Sequence, residues 1–284
     1  MTAIKIAYQG IFGSFSSIAC VELYGAEHNF IAFERFDDVI RAVESSECEY
    51  GVIPVENSCA GRVSEIHSIL PSTNLQIVAE KILKVEHCLA VKSSSVKMEN
   101  IAVVTSHEQA LAQCREGLRR MLPNARIQKD LNTAIAARNV QESTSNNIAC
   151  LCSKLAAKEY GLHILKENFQ DSDENYTTFF SFSKNPFNPS PASGKRIVTS
   201  VIFSVRNIAG AVYKCLGGFA TNGIDLLKLE SYIPGGVYSK SAQFFLSFYG
   251  HANDANVSLA LEELGFFSTK VKILGIYYAD DSRA

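Results

Sequence analysis

A proline-rich stretch divides the chain into two parts that differ in the order of their strands and helices. Residues 184–196, KNPFNPSPASGKR, hold three of the seven prolines and no apolar repeat. This composition is typical of a semi-rigid linker. We therefore predict one domain over residues 1–183 and a second over residues 197–284, which suits a chain of 284 residues.

The first part alternates strand-like and helix-like stretches. The strand-like stretches are IKIAYQ, NFIAF, YGVIPV, QIVAE, IAVVTS, NIACLC and TTFFSFS. Between them, FDDVIRAVES and EQALAQCREGLRRML carry apolar residues at helical spacing. Such alternation predicts a mostly parallel sheet with helices on both faces. A single sheet and two smaller α/β lobes around a cleft would both use this length.

The second part has a different order. VTSVIFSV, GIDLLKLESYI, SAQFFLSFYG and KVKILGIYY read as strands, and PGG at 234–236 reads as a turn. IAGAVYKCLGGFATNG predicts a helix with a glycine C-cap, and NDANVSLALEELG predicts a helix that opens at Asn or Asp. The resulting order, β-α-β-β-α-β, predicts a ferredoxin-like domain.

Composition excludes several classes of protein. The net charge is −2, from 27 Lys and Arg against 29 Asp and Glu, so a nucleic-acid partner is not expected. The sequence has no apolar run long enough to span a membrane and no signal peptide at MTAIKIAYQG. The eight cysteines form no C-x-x-C, and the six histidines show no metal-ligand spacing. We expect a soluble cytoplasmic protein with reduced thiols and no metal.

Of five polar clusters, the first and the fourth along the chain lie where predicted helices begin. In GSFS, Gly13 allows a close backbone approach, and Ser14 and Ser16 can cap a helix or donate hydroxyls to an anion. In NTAIAA, Thr133 opens a helix of small residues. A capped helix start explains the first cluster equally well.

Another cluster, IPVENSCAGRV, follows a buried apolar stretch. It places Glu56, Asn57, Ser58 and Arg62 directly after a predicted strand, where α/β sheets bind ligands. Asn57 and Ser58 are also common turn formers, and Arg62 can equally be a surface residue.

VVTSHEQALAQC carries polar groups at the start of a helix. Ser106, Gln109 and Gln113 share one helical side and form a recognition face. His107 lies in the first turn beside Glu108, where a histidine is more often partly solvated than catalytic.

DSDENYTTF places Asn175, Thr177 and Thr178 just before a strand. The acidic residues before them lack the spacing of a calcium loop, so a solvated turn is expected there. The sequence has neither a G-x-S-x-G elbow nor a phosphate-binding P-loop. Together the clusters predict a cleft of hydroxyls, amides and one arginine, which suits a small organic anion with several charges.

These clusters, in this order, resemble the prephenate dehydratase family over nearly the whole chain. GSFS, IPVENS, SHEQALAQC, NTAIAA and NYTTF are similar to its stations G-x-x-G-[SA]-[FY]-S, P-[VI]-E-N-S, S-H-x-Q-[AP]-[LF]-x-Q-C, [DN]-T-A-x-A-A and N-x-T-R-F. The second part resembles its ACT domain, since AGAVYKCL is similar to G-A-L-[VF] and LESYIPGG to E-S-R-P.

The resemblance implies an α/β fold with a bilobed catalytic domain like type 2 periplasmic binding proteins, followed by a ferredoxin-like ACT domain. It implies a lyase that converts prephenate to phenylpyruvate, water and carbon dioxide, without redox cofactor or metal. It also implies two sets of site residues in the catalytic domain. The catalytic set is Thr177 with Glu56, Asn57, Ser106 and Gln113, and the substrate-binding set is Ser14, Ser16, Ser58, Arg62, His107, Thr133 and Asn175.

The resemblance further implies a homodimer or homotetramer that binds L-phenylalanine between ACT domains, near Gly210, Ala211, Glu230 and Ser231. The sequence departs from the family at two places. Thr178 replaces the arginine of T-R-F, and Arg62 is our candidate to compensate for it. Tyr232-Ile233, followed by Pro234, replaces the Arg-Pro of E-S-R-P.

Two other functions stay open at this point. Arogenate dehydratase needs the same scaffold and the same eliminations. A catalytically impaired homologue that binds an amino acid would explain the loss of the arginine at Thr178, but the retained hydroxyl of Thr177 argues against it.

Overall fold

The computed structural model describes residues 3–232 and 242–283. The turn expected at PGG, and with it Ile233 and Pro234, lies outside the described residues, as does the side chain of Tyr232. The contacts divide the chain into two compact units. The first comprises Met1–Ala42, Gly51–Val63 and Lys81–Phe179, and the second comprises Val43–Tyr50, Ser64–Glu80 and Phe180–Ala284. The domain boundary at residue 183 stays a prediction.

The strands before the proline-rich stretch are β1 Lys5–Gln9, β2 Asn29–Phe33, β3 Tyr50–Asn57, β4 Gly61–Arg62, β5 Gln76–Lys84, β6 Cys88–Val91, β7 Val103–Ser106, β8 Arg126–Lys129, β9 Ile148–Cys152, β10 His163–Lys166 and β11 Tyr176–Ser183. The helices of this part are α1 Phe15–Tyr24, α2 Phe36–Glu44, α3 Ile66–Ser72, α4 Glu108–Gln113, α5 Arg115–Met121, α6 Thr133–Glu142 and α7 Lys154–Glu159. After the proline-rich stretch come β12 Ile197–Val205, α8 Ala211–Thr221, β13 Leu226–Tyr232, β14 Gln243–Tyr249, α9 Ala255–Phe267 and β15 Ser268–Tyr278.

The first unit contains strands of two sheets, as two smaller lobes require. In one of them β1 and β2 run parallel, and β3 pairs with the short β4. The other has the order β10-β6-β9-β7-β8. Its strands β8, β7 and β9 are parallel, but β6 and β10 are antiparallel to their neighbours, so this sheet is mixed rather than mostly parallel.

The stretch EQALAQCREGLRRML forms two helices rather than the one that its periodicity predicts. The break falls at Cys114, between α4 and α5. The carboxylate of Asp171 accepts from the backbone N–H groups of Glu116 and Gly117, at 2.9 and 3.0 Å, and so caps the start of α5. The backbone N–H of Asp171 also donates to the carbonyl of Gln113, at 2.7 Å. Gln113 is therefore fixed as the last residue of α4.

The GSFS loop forms the expected capped helix start. The hydroxyl of Ser14 accepts from the backbone N–H of Ser17, at 3.3 Å, and begins α1. Gly13 has φ +90°, and a Cβ there would lie 2.9 Å from the Cα of Ala156 in α7. Glycine is needed here because the backbone adopts a left-handed conformation and passes directly against a second helix.

The second unit has the ferredoxin-like order predicted for it. Strands β13-β14-β12-β15 form an antiparallel sheet, with α8 following β12 and α9 following β14. Asp254 is the N-cap of α9, as predicted, whereas α8 ends at Thr221 with Asn222 as its C-cap, and the predicted glycine follows as Gly223. The core of this sheet and its helices is dominated by aromatic rings, among them Phe203, Phe219 and Phe248.

Three further findings concern the described residues as a whole. No helix among them combines the length and the apolar character that crossing a bilayer requires. All eight cysteines are free, and only Cys59 is exposed. The proline-rich stretch bonds to residues of the second unit, since the backbone N–H of Ser190 donates to the hydroxyl of Tyr278 at 2.8 Å.

Candidate active site

Asn57 ends β3 and shapes the turn that follows it. Its Oδ1 accepts from the backbone N–H groups of Cys59 and Ala60, at 3.0 and 2.9 Å. This Asx turn confirms the turn-forming role that the sequence allowed. Because Oδ1 is held by the turn, Nδ2 is fixed in direction and available as a donor on the other side.

The Nδ2 of Asn57 points to the start of β11. It donates to Oδ1 of Asn175 at 2.8 Å, to the carbonyl of Tyr176 at 3.1 Å and to Oγ1 of Thr177 at 3.0 Å. Thr177 is only 9 % exposed. Since Oγ1 is the acceptor in this bond, the hydroxyl proton of Thr177 is left to be donated in another direction.

Gln113 joins this cluster from the end of α4. Its Nε2 lies 3.4 Å from Oδ1 of Asn57 and 3.4 Å from Oδ1 of Asn175, which makes two long hydrogen bonds. A cavity of about 310 Å³ lies beside these groups, and Gln113, Gln170 and Asn175 line it. We call the four side chains of Asn57, Gln113, Asn175 and Thr177 the amide cluster.

Two residues that sequence reasoning missed support the amide cluster. His87, only 2 % exposed, places Nε2 2.9 Å from Oε1 of Gln113, and its backbone N–H donates to Oε1 of Gln170 at 2.9 Å. The available signal was a histidine directly before the apolar stretch CLAV. In the part of the chain that the structure describes, three buried atoms here have no hydrogen-bond partner: Nδ1 of His87, Nε2 of Gln170 and Nδ2 of Asn175.

Burial shifts the pKa of both histidines near the amide cluster in the same direction. Burial lowers the pKa of His87; the hydrogen bond that its ring makes to Oε1 of Gln113 opposes this shift, and the charge of His107 adds to it. Burial also lowers the pKa of His107, against the opposing charge of Glu108. His107 is the N-cap of α4, where its Nδ1 accepts from the backbone N–H of Gln109 at 3.3 Å.

Other residues proposed from the sequence make structural contacts instead of joining the amide cluster. The hydroxyl of Ser106 donates to the carbonyl of Leu151 at 2.6 Å, inside the sheet. The hydroxyl of Ser58 donates to the carbonyl of Glu174 at 3.0 Å and accepts from the N–H of Tyr176 at 2.9 Å. These bonds attach the turn after β3 to the start of β11. The catalytic role of Ser106 and the substrate-binding role of Ser58 stay predictions.

Three of the remaining site residues are buried at helix starts. Ser14 and Ser16 belong to the first turn of α1, and Thr133 opens α6 after the N-cap Asn132. Among the described residues, none of the three is hydrogen bonded to the amide cluster.

Glu56, Arg62 and Thr178 share one strand face, which is the face opposite Thr177. Side chains alternate along a strand, so Glu56 faces away from Asn57, and Thr178 away from Thr177. Arg62 pairs with Glu56 across the β3–β4 ladder and therefore shares its face. The replacement of arginine by threonine at 178 is thus behind the amide cluster rather than within it.

The proposed effector residues lie in the second unit. Gly210, with φ +68°, is the N-cap of α8, and Ala211 is its first residue. Glu230 and Ser231 lie on β13, where the carboxylate of Glu230 pairs with Nζ of Lys228 at 3.2 Å.

The fold and the site define an α/β catalytic unit, with buried hydroxyl and amide groups beside a cavity, that is combined with a ferredoxin-like unit. The family model described as prephenate dehydratase matches residues 6–187. The chain therefore belongs to the prephenate dehydratase family.

Individual relatives agree with the family model. A bifunctional N-acyl-homoserine lactone acylase/prephenate dehydratase from Komagataeibacter europaeus is 36% identical over 98% of this chain and 97% of its own length. Arogenate dehydratase/prephenate dehydratase 2 from Arabidopsis thaliana is 33% identical over 98% of this chain and 73% of its own. The crystal structure of prephenate dehydratase from Arthrobacter aurescens in complex with L-Phe superposes with a TM-score of 0.89, at 27% identity, over 99% and 91% of the two chains.

These comparisons confirm the family, the fold class and the lyase function inferred from the five motifs. The chain has the catalytic fold of a prephenate dehydratase, and its second unit has a ferredoxin-like strand order, with which the predicted ACT domain is consistent. The roles of individual site residues and the domain boundaries remain predictions.

Proposed function

We propose that this protein converts prephenate to phenylpyruvate, water and carbon dioxide, and that the hydroxyl of Thr177 donates to the departing oxygen. The observation that supports this assignment is the 3.0 Å bond from Nδ2 of Asn57 to Oγ1 of Thr177. It uses the threonine oxygen as an acceptor and leaves its proton for the substrate.

The reaction needs little chemistry from the protein. The electron pair of the breaking carbon–carboxylate bond enters the ring, and the pair of the breaking carbon–oxygen bond leaves with the hydroxyl group, which takes up a proton to become water. The ring becomes aromatic, so the elimination is strongly downhill. The protein has to hold the dianion in position and assist the leaving oxygen.

Each member of the amide cluster contributes to this task. Asn57 orients Thr177, and Gln113 steadies the oxygen atoms of Asn57 and Asn175. A threonine hydroxyl is too weak an acid to transfer its proton outright, so it stabilises the leaving oxygen through a hydrogen bond. Glu56 and Ser106, with the remaining substrate-binding residues, serve as outer positioning groups.

The first experiment is turnover of the purified protein on prephenate and on arogenate, side by side. Phenylpyruvate from prephenate is the expected product. Activity on arogenate alone would keep the mechanism and change the substrate; the Arabidopsis relative carries both names. A third assay, on an N-acyl-homoserine lactone, tests the additional activity in the name of the Komagataeibacter relative. A folded protein inactive on prephenate and arogenate would overturn the catalytic proposal and favour an impaired amino-acid-binding homologue.

We also propose that L-phenylalanine is an allosteric effector of a cytoplasmic homodimer or homotetramer. It would bind between two ACT domains near Gly210, Ala211, Glu230 and Ser231. The support is the L-Phe complex of the Arthrobacter aurescens protein. The coupling free energy between an allosteric effector and the substrate is typically about 1–3 kcal/mol. Unchanged activity and melting temperature in millimolar phenylalanine would refute the effector role. Light scattering measures the number of subunits in the oligomer.

A further inference from the structure

His87 lies beside the amide cluster and contacts Gln113 through its ring and Gln170 through its backbone. It directly precedes β6, with its ring edge-on to Phe15 at 5.7 Å between ring centres. Nε2 is 2.9 Å from Oε1 of Gln113. The backbone N–H holds Oε1 of Gln170 at 2.9 Å, and the carbonyl accepts from the N–H of Phe169 at 2.7 Å.

The surrounding hydrogen bonds determine which way each amide faces. Oδ1 of Asn57 must be oxygen, because it accepts from two backbone N–H groups. Oδ1 of Asn175 must be oxygen, because it accepts from Nδ2 of Asn57. Both oxygens lie beside the amide of Gln113, so that amide presents its NH₂ group to them and its oxygen to His87.

This orientation sets the tautomer of His87. An amide oxygen can only accept, so the proton must be on Nε2 of the imidazole. Nδ1 then holds a lone pair, and in the described part of the chain it has no hydrogen-bond partner. If the imidazole carried its proton on Nδ1 instead, that N–H group would be buried without an acceptor.

We propose that His87 is a positioning residue of this dehydratase site: its Nε2–H holds the amide of Gln113 with its NH₂ group toward Asn57 and Asn175. Through these two residues it fixes Asn57 against Thr177. This inference rests on the proposed function, because the quantity that His87 controls is the direction of the Thr177 hydroxyl.

The neutral form of the imidazole is required. Burial lowers the pKa of His87, and the charge of His107, at the N-terminus of α4, lowers it further. Without the Nε2–H donor, the half-buried amide oxygen of Gln113 would lose this partner, and the amide would be free to rotate. A rotated amide would set its oxygen against the oxygens of Asn57 and Asn175 and push Asn57 away from Thr177.

The test compares His87→Leu with His87→Gln. Leucine fills the space without a donor, whereas glutamine returns an amide N–H near the position of Nε2. We expect His87→Leu to lower kcat about 10- to 100-fold, equivalent to about 1.4–2.7 kcal/mol, with a much smaller change in KM. His87→Gln should recover most of that loss. His163→Leu, on the exposed end of β10, is the matched control and should leave kcat unchanged.

A double variant separates positioning from general damage. If His87 acts through Gln113, adding His87→Leu to Gln113→Ala should reduce kcat no further. Additive losses, or wild-type kcat in His87→Leu, would overturn the proposal. If His87→Leu does not fold, His87→Phe, which also fills the space without a donor, replaces it in the same comparison.

A readout independent of turnover distinguishes this inference from the proposed function. Long-range ¹H–¹⁵N spectra of the whole protein should show His87 as the neutral Nε2–H tautomer at pH 7, altered in Gln113→Ala. A Nδ1–H or cationic ring would refute the positioning role even in an active enzyme. If prephenate is not turned over, the same spectra still test the contact itself.

Discussion

Each unit of the molecule contains a buried polar network, and the two networks are built on opposite plans. In the second unit the carboxylate of Glu80, 1 % exposed in its side chain, meets the guanidinium of Arg283. Nε of Arg283 is 2.6 Å from Oε1 and one terminal nitrogen is 3.0 Å from Oε2. The backbone N–H of Asp280 adds a third donor, at 3.0 Å. This network is charged, and both oxygens of its carboxylate are paired.

The amide cluster and its support in the first unit are uncharged and incompletely paired. Asn57, Gln113 and His87 are bonded to one another, yet three buried polar atoms around them have no partner in the described chain. Leaving a buried polar atom unpaired costs about 1–3 kcal/mol of stability. Native proteins retain such atoms where they have a role other than stabilising the fold. The difference indicates that the complete network holds the fold, whereas the incomplete one is kept for a ligand.

The largest effect should come from Thr177→Ala. Removing the hydroxyl removes the donor to the leaving oxygen, and we expect kcat to fall by about 10²- to 10⁴-fold. Thr178→Ala is the matched control, since it deletes the same atoms one residue away on the opposite strand face. Steady-state kinetics on prephenate measure both variants, and thermal melts should show both folded.

If the two variants lost activity equally, a general disturbance of β11 and not the loss of the Thr177 hydroxyl would be responsible. If Thr177→Ala kept the wild-type rate, the hydroxyl of Thr177 would not be a catalytic donor. The proposal that the incomplete network serves catalysis would then be wrong.

The next effect belongs to the complete network. Arg283→Ala leaves the Glu80 carboxylate buried without its counter-charge, and breaking such a pair should destabilise the protein by about 3 kcal/mol. Denaturant unfolding of the whole chain measures the change. We expect kcat of the folded fraction to stay the same, because neither residue belongs to the amide cluster. A drop in kcat without loss of stability would contradict the structural role. Lys195→Ala, which removes an exposed pair with Asp281, is the matched control.

The sequence predicted most of the fold because the spacing of apolar residues and the positions of turn and capping residues are local signals. The proline-rich stretch, the β-α-β-β-α-β order and the N-cap at Asp254 are all read from neighbouring residues. The break at Cys114 could not be read in this way. It depends on Asp171, which is distant in sequence and caps α5 from a different loop. Strand β8, exposed throughout, also lacks the apolar signal of a strand.

The site was predicted less completely than the fold. Family motifs identified Asn57, Gln113, Asn175 and Thr177, which the structure brings together. They could not show that the hydroxyls of Ser58 and Ser106 are used by the backbone, since a motif records residue type and not hydrogen-bond direction. His87 was missed because its importance lies in one contact across 26 residues of sequence.

A smaller effect should appear as pH falls below the ordinary histidine value of 6.5. The folded protein holds the pKa of His87 below that of the unfolded chain, so the unfolded state binds the proton more readily in that window. Stability is therefore full above pH 6.5 and declines below it, by at most about 1.4 kcal/mol per pH unit for each such histidine. His107 shifts in the same direction and adds to the slope.

Unfolding free energies of wild type and His87→Gln between pH 5 and 8 measure this contribution. The variant should lose part of the acid slope, and Lys195→Ala, which removes only an exposed ion pair with Asp281, should keep all of it. An identical slope in wild type and His87→Gln would show that His87 is not the titrating group.

The smallest effect tests the strand face behind Thr177. Thr178→Arg restores the guanidinium of the family motif, but on the face that Glu56 and Arg62 already share. Arg62 on β4 and residue 178 on β11 both flank β3, so their like charges oppose one another across that strand, and we expect kcat/KM to fall by no more than about fivefold. The double variant Arg62→Ala/Thr178→Arg should return to the wild-type value, because one guanidinium again faces Glu56.

Arg62→Ala alone should lose activity, which would establish that Arg62 compensates for the missing arginine. An increase in kcat/KM for Thr178→Arg in the presence of Arg62 would instead mean that the guanidinium was simply lost, and that Arg62 does not serve the site.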